Sequence, residues 1–123
     1  MTKVLLDTSF ILTAIRNKLD FFDELESKGY SIYIPNEVIA EIERIRSSTK
    51  SLKVKSEAEL ALKIINSGEH KKVLIGGRYV DSGIKNFLKD HTDFVIATID
   101  ANLKRSVKNR KIIIRNKKKL ELQ

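Results

Sequence analysis

The chain of 123 residues has no cysteine and no tryptophan, one proline, one methionine and five glycines. Without cysteine there can be no disulfide, zinc ribbon, iron–sulfur cluster or thiol nucleophile. Histidine is scarce too. Only His70 and His91 could act as imidazole bases or ligands, and neither stands convincingly as a base for Ser9, so a hydrolase triad lacks support. No G-x-G-x-x-G and no G-x-x-x-x-G-K-[ST] occurs, which leaves dinucleotide and ATP sites without support. No apolar run approaches the ~18 residues of a membrane span. Asp7 interrupts the opening segment MTKVLLDTSF and spoils it as a signal peptide. Neither a Ser/Gly linker nor an internal repeat is visible. The expectation is one domain over 1–123, cytoplasmic and without a membrane partner, carrying a basic C-terminal tail at 116–123.

Charge is what the chain has in quantity. Lys+Arg number 24 and Asp+Glu 16, a formal net charge of +8, and hydrophobic residues make up 41%, enough for one core. So basic a balance favours a polyanionic partner.

Apolar runs alternate with helical patterns. KVLL (3–6), SIYI (31–34), VLI (73–75), FVIAT (94–98) and III (112–114) read as strands. Between them the spacing predicts helices through Phe10, Ile11 and Ile15; through Phe21, Phe22 and Leu25, closed by Gly29; over 36–47; from a Ser56–Glu59 capping box to Gly68; over 80–89; and over 101–109. Strands apolar on both faces and separated by helices imply a parallel sheet covered on each side. The expected class is α/β, a three-layer α/β/α sandwich around a mainly parallel sheet of four to five strands.

In such a sheet ligands bind at the carboxyl ends of the strands. Asp7 follows KVLL directly and Asp100 lies two residues past FVIAT. Each is also a natural N-cap for the helix that follows, so capping competes with a site until the two are taken together. On the 36–47 helix, Glu41 lies about 40° from Ile45 at the edge of the apolar stripe, whereas Glu43 points away and Glu37 complements the helix dipole. Asp81 falls about 20° from Leu88 and borders the core face, with Ser82 well off it. Four carboxylates at one sheet edge repel. Two unit charges about 4 Å apart cost roughly 4 kcal/mol at an effective dielectric near 20. A cation offsets that, and oxygen-only donors suit Mg²⁺ or Mn²⁺. Acids, metal and a basic surface together point to phosphodiester hydrolysis.

These segments resemble the PIN-domain nuclease family from end to end. KVLLDTSFIL is similar to its first motif, IPNEVIAEIERI to the second, YVDSGIKNFL to the third and FVIATIDANLKR to the fourth. The resemblance implies a metal-dependent endoribonuclease, with Asp7, Glu41, Asp81 and Asp100 as the catalytic and metal-holding acids and Mg²⁺ or Mn²⁺ as the ion. It implies supporting hydrogen bonds from Ser9 and Thr98. The third motif often carries two adjacent acids. Here the pair is Asp81–Ser82, which leaves Ser82 in a supporting place and keeps a non-catalytic RNA-binding scaffold open. A flavodoxin-like phosphoacceptor would need a second acid beside Asp7, and none is there. Leu103-Lys104-Arg105 after the fourth motif resembles the ribosomal-RNA-processing branch of the small-subunit processome, with VapC-type toxins as the alternative. The partners implied are RNA, as a ribosomal RNA precursor, a second copy of the chain, and an antitoxin if the toxin branch holds.

The basic residues fit an RNA partner as a patch. Lys104, Arg105, Lys108, Arg110, Lys111, Arg115 and Lys117 to Lys119 crowd the last 20 residues, and Arg78, Lys50, Lys53 and Lys55 are further candidates. Arg78, Lys104, Arg105 and Lys108 are the expected RNA contacts.

Overall fold

A computed structural model describes residues 1–123. Six strands, β1 (Thr2–Leu6), β2 (Tyr30–Pro35), β3 (Lys71–Val73), β4 (Val95–Ala97), β5 (Lys111–Arg115) and β6 (Lys119–Leu122), form one sheet in the order β3-β2-β1-β4-β5-β6. All neighbours are parallel except β5 and β6. Six helices connect them: α1 (Thr8–Arg16), α2 (Phe21–Ser27), α3 (Asn36–Ser48), α4 (Leu52–Ser67), α5 (Val80–Asp90) and α6 (Ala101–Ser106).

The central strands are apolar on both faces because both faces are covered. Val4, Leu5, Leu6, Val95, Ile96 and Ala97 are all buried. From β1 the chain steps outward through β2 to β3, then returns to the other side of β1 as β4. Right-handed crossovers put helices made on the outward steps on one face and those made on the return on the other. Accordingly α1 packs on α3 and α4, while α5 packs on α6. The reversal between β1 and β4 is the topological switch point, where an open α/β sheet leaves a crevice at its carboxyl edge. A single core cluster of 27 buried residues runs through both layers.

Several boundaries differ from the sequence reading. The sheet has six strands rather than four or five, because Lys119–Leu122 of the expected basic tail form β6. A turn with Asn116 and Lys117 at positive φ folds β6 back on β5. Leu120 is buried, Arg115 pairs with Glu121 across the ladder at 2.8 Å, and Glu24 of α2 accepts from the Leu120 N–H on the open edge. One inward leucine among lysines was too short a pattern to read. Helix α4 begins at Leu52 and not at Ser56. Ser51 caps it, and its lysine-rich first turn hid the start. Strand β3 lies at 71–73 rather than 73–75, and α6 stops at Ser106, before 109. His91 is exposed, and His70 is half-buried against Phe22.

One close approach holds the loop between β3 and α5. An added Cβ at Gly83 would stand 2.3 Å from the carbonyl oxygen of Gly76. In an open helix interior Gly→Ala gains about 1 kcal/mol. Here Gly83→Ala is expected to reverse sign and destabilise by about 1–3 kcal/mol, because the atom it meets is backbone. Urea unfolding measures this, and a stabilised Ala variant would refute the close packing.

Candidate active site

Asp7 stands at the end of β1, and its backbone N–H continues the ladder to Ala97 at 3.2 Å. Its side chain is almost wholly buried, at 4% exposure. Three donors meet it. The Phe10 N–H (2.8 Å) and the Ser9 hydroxyl (2.9 Å) donate to Oδ1, and the Thr98 hydroxyl donates to Oδ2. Thr98 directly follows β4 and is fully buried. Its oxygen in turn accepts from the Asp100 N–H at 3.0 Å. Asp100 caps α6 with Oδ1 alone, which accepts from Asn102 N–H (2.8 Å) and Leu103 N–H (3.1 Å). Asp7 and Asp100 are therefore caps, as local chemistry dictates, and still face the crevice.

Glu41 arrives half-buried from α3. Asp81, in the first turn of α5, is exposed and Ser82 beside it half-buried, the reverse of what helical phase implied, because the first turn of α5 stands clear of the core. With Asp7, Thr8, Ser9 and Asp100 these two side chains line one cavity of about 350 Å³ at the switch point. The structure thus gathers Asp7, Glu41, Asp81 and Asp100 from four separate elements. No protein cation pairs with any of them: the three ion pairs of the chain use Asp93, Glu57 and Glu121. Burial pushes the Asp7 carboxyl up to about 6; its hydrogen bonds to Thr98, Phe10 and Ser9 pull the other way, and the Asp100 charge adds a further upward push. Thr8 Oγ1 is buried at this cavity without a hydrogen-bond partner. That orphaned oxygen and the all-oxygen donor set fit a hard divalent cation. As they stand, no three of the acids close on a single point. A cation that keeps several of its waters, as Mg²⁺ does, suits such a spacing.

A second cavity, of about 520 Å³, shares Glu41, Val80 and Asp81 with the first and adds Arg44, Arg78 and Tyr79. Arg78 stacks over the Tyr79 ring at 5.7 Å, and Tyr79 is 66% exposed. Two residues here escaped the sequence reading. Arg44 lies one turn from Glu41 and brings a cation to the shared wall. Glu37, read as a partner of the helix dipole, also accepts from the Ile75 N–H (3.2 Å) and Gly76 N–H (3.1 Å), fixing the loop that presents Arg78. The signal was present in Gly76–Gly77, both at positive φ, which mark a tight backbone turn. Ser82 does not line the acidic cavity; its hydroxyl donates to the Tyr79 carbonyl at 3.0 Å. Lys104, Arg105 and Lys108 also lie outside that lining, the first two on α6 and Lys108 just past it. Neither histidine lines it.

A family model described as a PIN like domain matches residues 4–119. The chain belongs to the PIN-domain nuclease family. A curated relative, ribonuclease VapC4 of Methanocaldococcus jannaschii, is 28% identical over 128 residues, covering 99% of this chain and 97% of its own. Among solved structures, the PIN domain endonuclease Utp24 superposes with a TM-score of 0.80 at 23% identity, over 98% of this chain and 90% of its own. VapBC2 from Rickettsia felis, bound to a DNA fragment from its promoter, superposes with a TM-score of 0.55 at 17% identity, over 89% of this chain and 98% of its own. In this PIN domain the acidic cavity lies at the sheet edge where the four motif segments meet.

The burial of Asp7 has a measurable consequence in metal-free buffer. Its folded value of about 6 lies above the ordinary 3.8. Between those values the folded state holds a proton that the unfolded chain has lost, so stability falls as pH rises through the window. The loss is complete above about pH 6 and amounts to up to roughly 3 kcal/mol. Asp7→Asn removes the titration. Denaturation in EDTA should show Asp7→Asn gaining on wild type by about 1–3 kcal/mol between pH 4 and pH 7. A pH-independent difference between the two chains would show that Asp7 pays no such penalty.

Proposed function

We propose that this chain is a Mg²⁺- or Mn²⁺-dependent endoribonuclease that hydrolyses RNA phosphodiester bonds. One observation carries the reading: four carboxylates from four elements share a cavity at the switch point with no protein cation to balance them. Asp7, Glu41, Asp81 and Asp100 would hold the ion. When bound, the ion polarises the scissile phosphate and lowers the pKa of the attacking water. The chain's own residues do the rest. Thr98 and Ser9 orient Asp7 through hydroxyl donors. Ser82 secures the start of α5 by bonding the Tyr79 carbonyl. Arg44 and Arg78 offer guanidinium forks to the phosphates beside the scissile one, and Tyr79 offers an exposed ring for a base. End-to-end similarity to a ribonuclease supports RNA as the substrate.

The proposed biological role is processing of ribosomal RNA precursor, resting on Leu103-Lys104-Arg105 after the fourth motif. A toxin role, with an antitoxin partner and a dimeric chain, is the second reading, and the similarity to VapC4 favours it. Growth arrest on expression, relieved by Asp7→Asn, would select the toxin.

Millimolar Mn²⁺ or Mg²⁺ is expected to raise the melting temperature by several degrees through preferential binding to the folded state. Asp7→Asn and Asp81→Asn should each abolish most of that rise and lower RNA cleavage by at least about 10²-fold. Metal binding without cleavage would replace the nuclease by an RNA-binding scaffold. Wild-type behaviour of Asp7→Asn in both assays would refute the site.

A further inference from the structure

A third cavity, of about 490 Å³, lies between the far end of α5 and the segment that follows α6. Lys85, Lys89 and Lys108 line it with Asn86, Thr92 and Ser106, and no acidic residue does. Asn109 builds one wall firmly. It is buried, and its amide donates to the carbonyls of His91 (3.1 Å) and Phe94 (2.9 Å), tying the post-α6 segment to the end of α5 and the start of β4. Lys111 braces the same segment by donating to the Val107 carbonyl at 2.9 Å.

The two helices that bound this lysine cavity both begin at the acidic one. Asp81 stands in the first turn of α5, and Asp100 caps α6. Along α5, Lys85 and Lys89 follow Asp81 at steps of four. Along α6 and just beyond, Lys104 and Lys108 follow Asp100 at the same step. Residues four apart share one helix side, so Asp81 starts a row on α5 that turns basic, while Lys108 reaches the same lysine cavity from the extended segment after α6. Lys89 lies about 12 Å along the α5 axis from Asp81. None of these four lysines is within ion-pair distance of a carboxylate, although Asp81–Lys85 and Asp100–Lys104 have the spacing for one. Their charge stands unspent along the two helices that start at the acids.

We propose that the surface along α5, between the acidic cavity and the lysine cavity, is a phosphodiester track. It carries the backbone of single-stranded RNA from the acidic cavity to the Lys85–Lys89–Lys108 cavity, a few nucleotides from the scissile bond. This proposal rests on the nuclease reading for the direction in which the strand runs. A cationic groove that follows a backbone makes affinity depend on strand length and on salt, not on sequence. The structural alternative is that Lys89 and Lys104 only complement the C-terminal dipoles of their helices. In that case their removal lowers stability and leaves RNA binding alone.

Fluorescence anisotropy in EDTA, with a mixed-sequence single-stranded RNA of 16 nucleotides, and urea unfolding together separate the two. The full chain is compared with Lys85→Ala/Lys89→Ala/Lys108→Ala and with the matching triple Arg variant. The Ala variant should bind the 16-mer about a hundredfold more weakly near 0.1 M salt, with a log–log salt slope smaller by about 2. The Arg variant should recover the 16-mer. Wild-type affinity and slope for the Ala variant, with or without a fall in its urea midpoint, would overturn the track. A wild-type chain that shows this pattern yet cleaves no RNA with Mn²⁺ would overturn the nuclease reading instead.

Discussion

The carboxyl edge of this sheet is organised around one buried charge. Asp7 is pressed into the junction of β1, α1 and β4, where only three donors offset its lost hydration. Burial outweighs them, which is why its carboxyl holds its proton to about pH 6. A chain selected for stability alone would place Asn or Ser at such a cap. The Thr98 hydroxyl passes the constraint on, since it donates to Asp7 and accepts from the Asp100 N–H. Strand β4 and the start of α6 are thus set relative to β1 by the same small network.

Charge is sorted around that point. The chain as a whole carries +8, yet the switch-point cavity is lined by four acids and no base. On one side it shares a wall with Arg44 and Arg78, and a separate cavity at the far end of α5 is lined by Lys85, Lys89 and Lys108. The net charge attracts a polyanion, the four acids of the cavity oppose it locally, and a bound cation would remove that opposition. The loop carrying Arg78 is kept in place by the Glu37 carboxylate and by the close packing of Gly76 on Gly83. Small residues here serve position, not flexibility.

Much of this was legible in the residues themselves. KVLL and FVIAT declared buried parallel strands because nothing polar interrupts them, and the acids after them fell at the carboxyl edge by topology alone. Glu41 showed its half-buried place through helical phase, since it lies beside an apolar stripe that has to face the core; helical phase misplaced Asp81, which is exposed because the first turn of α5 stands clear of the core. Other features were hidden for physical reasons. Strand β6 has a single buried leucine in a run of lysines, and its pairing depends on a turn with two residues at positive φ. The lysine-rich first turn of α4 shows no apolar period to mark where it starts.

Local pattern thus determined the class of fold and the sheet edge on which Asp7 and Asp100 lie, because burial and periodicity act over a few residues. The tertiary structure decided which neighbours they have. Glu37 reaches a loop 38 residues away, Arg44 joins Arg78 at a shared wall, and Lys85 meets Lys108 across two helices. Such pairings are set by how helices cross and where a sheet reverses, and no short window of sequence carries that distance.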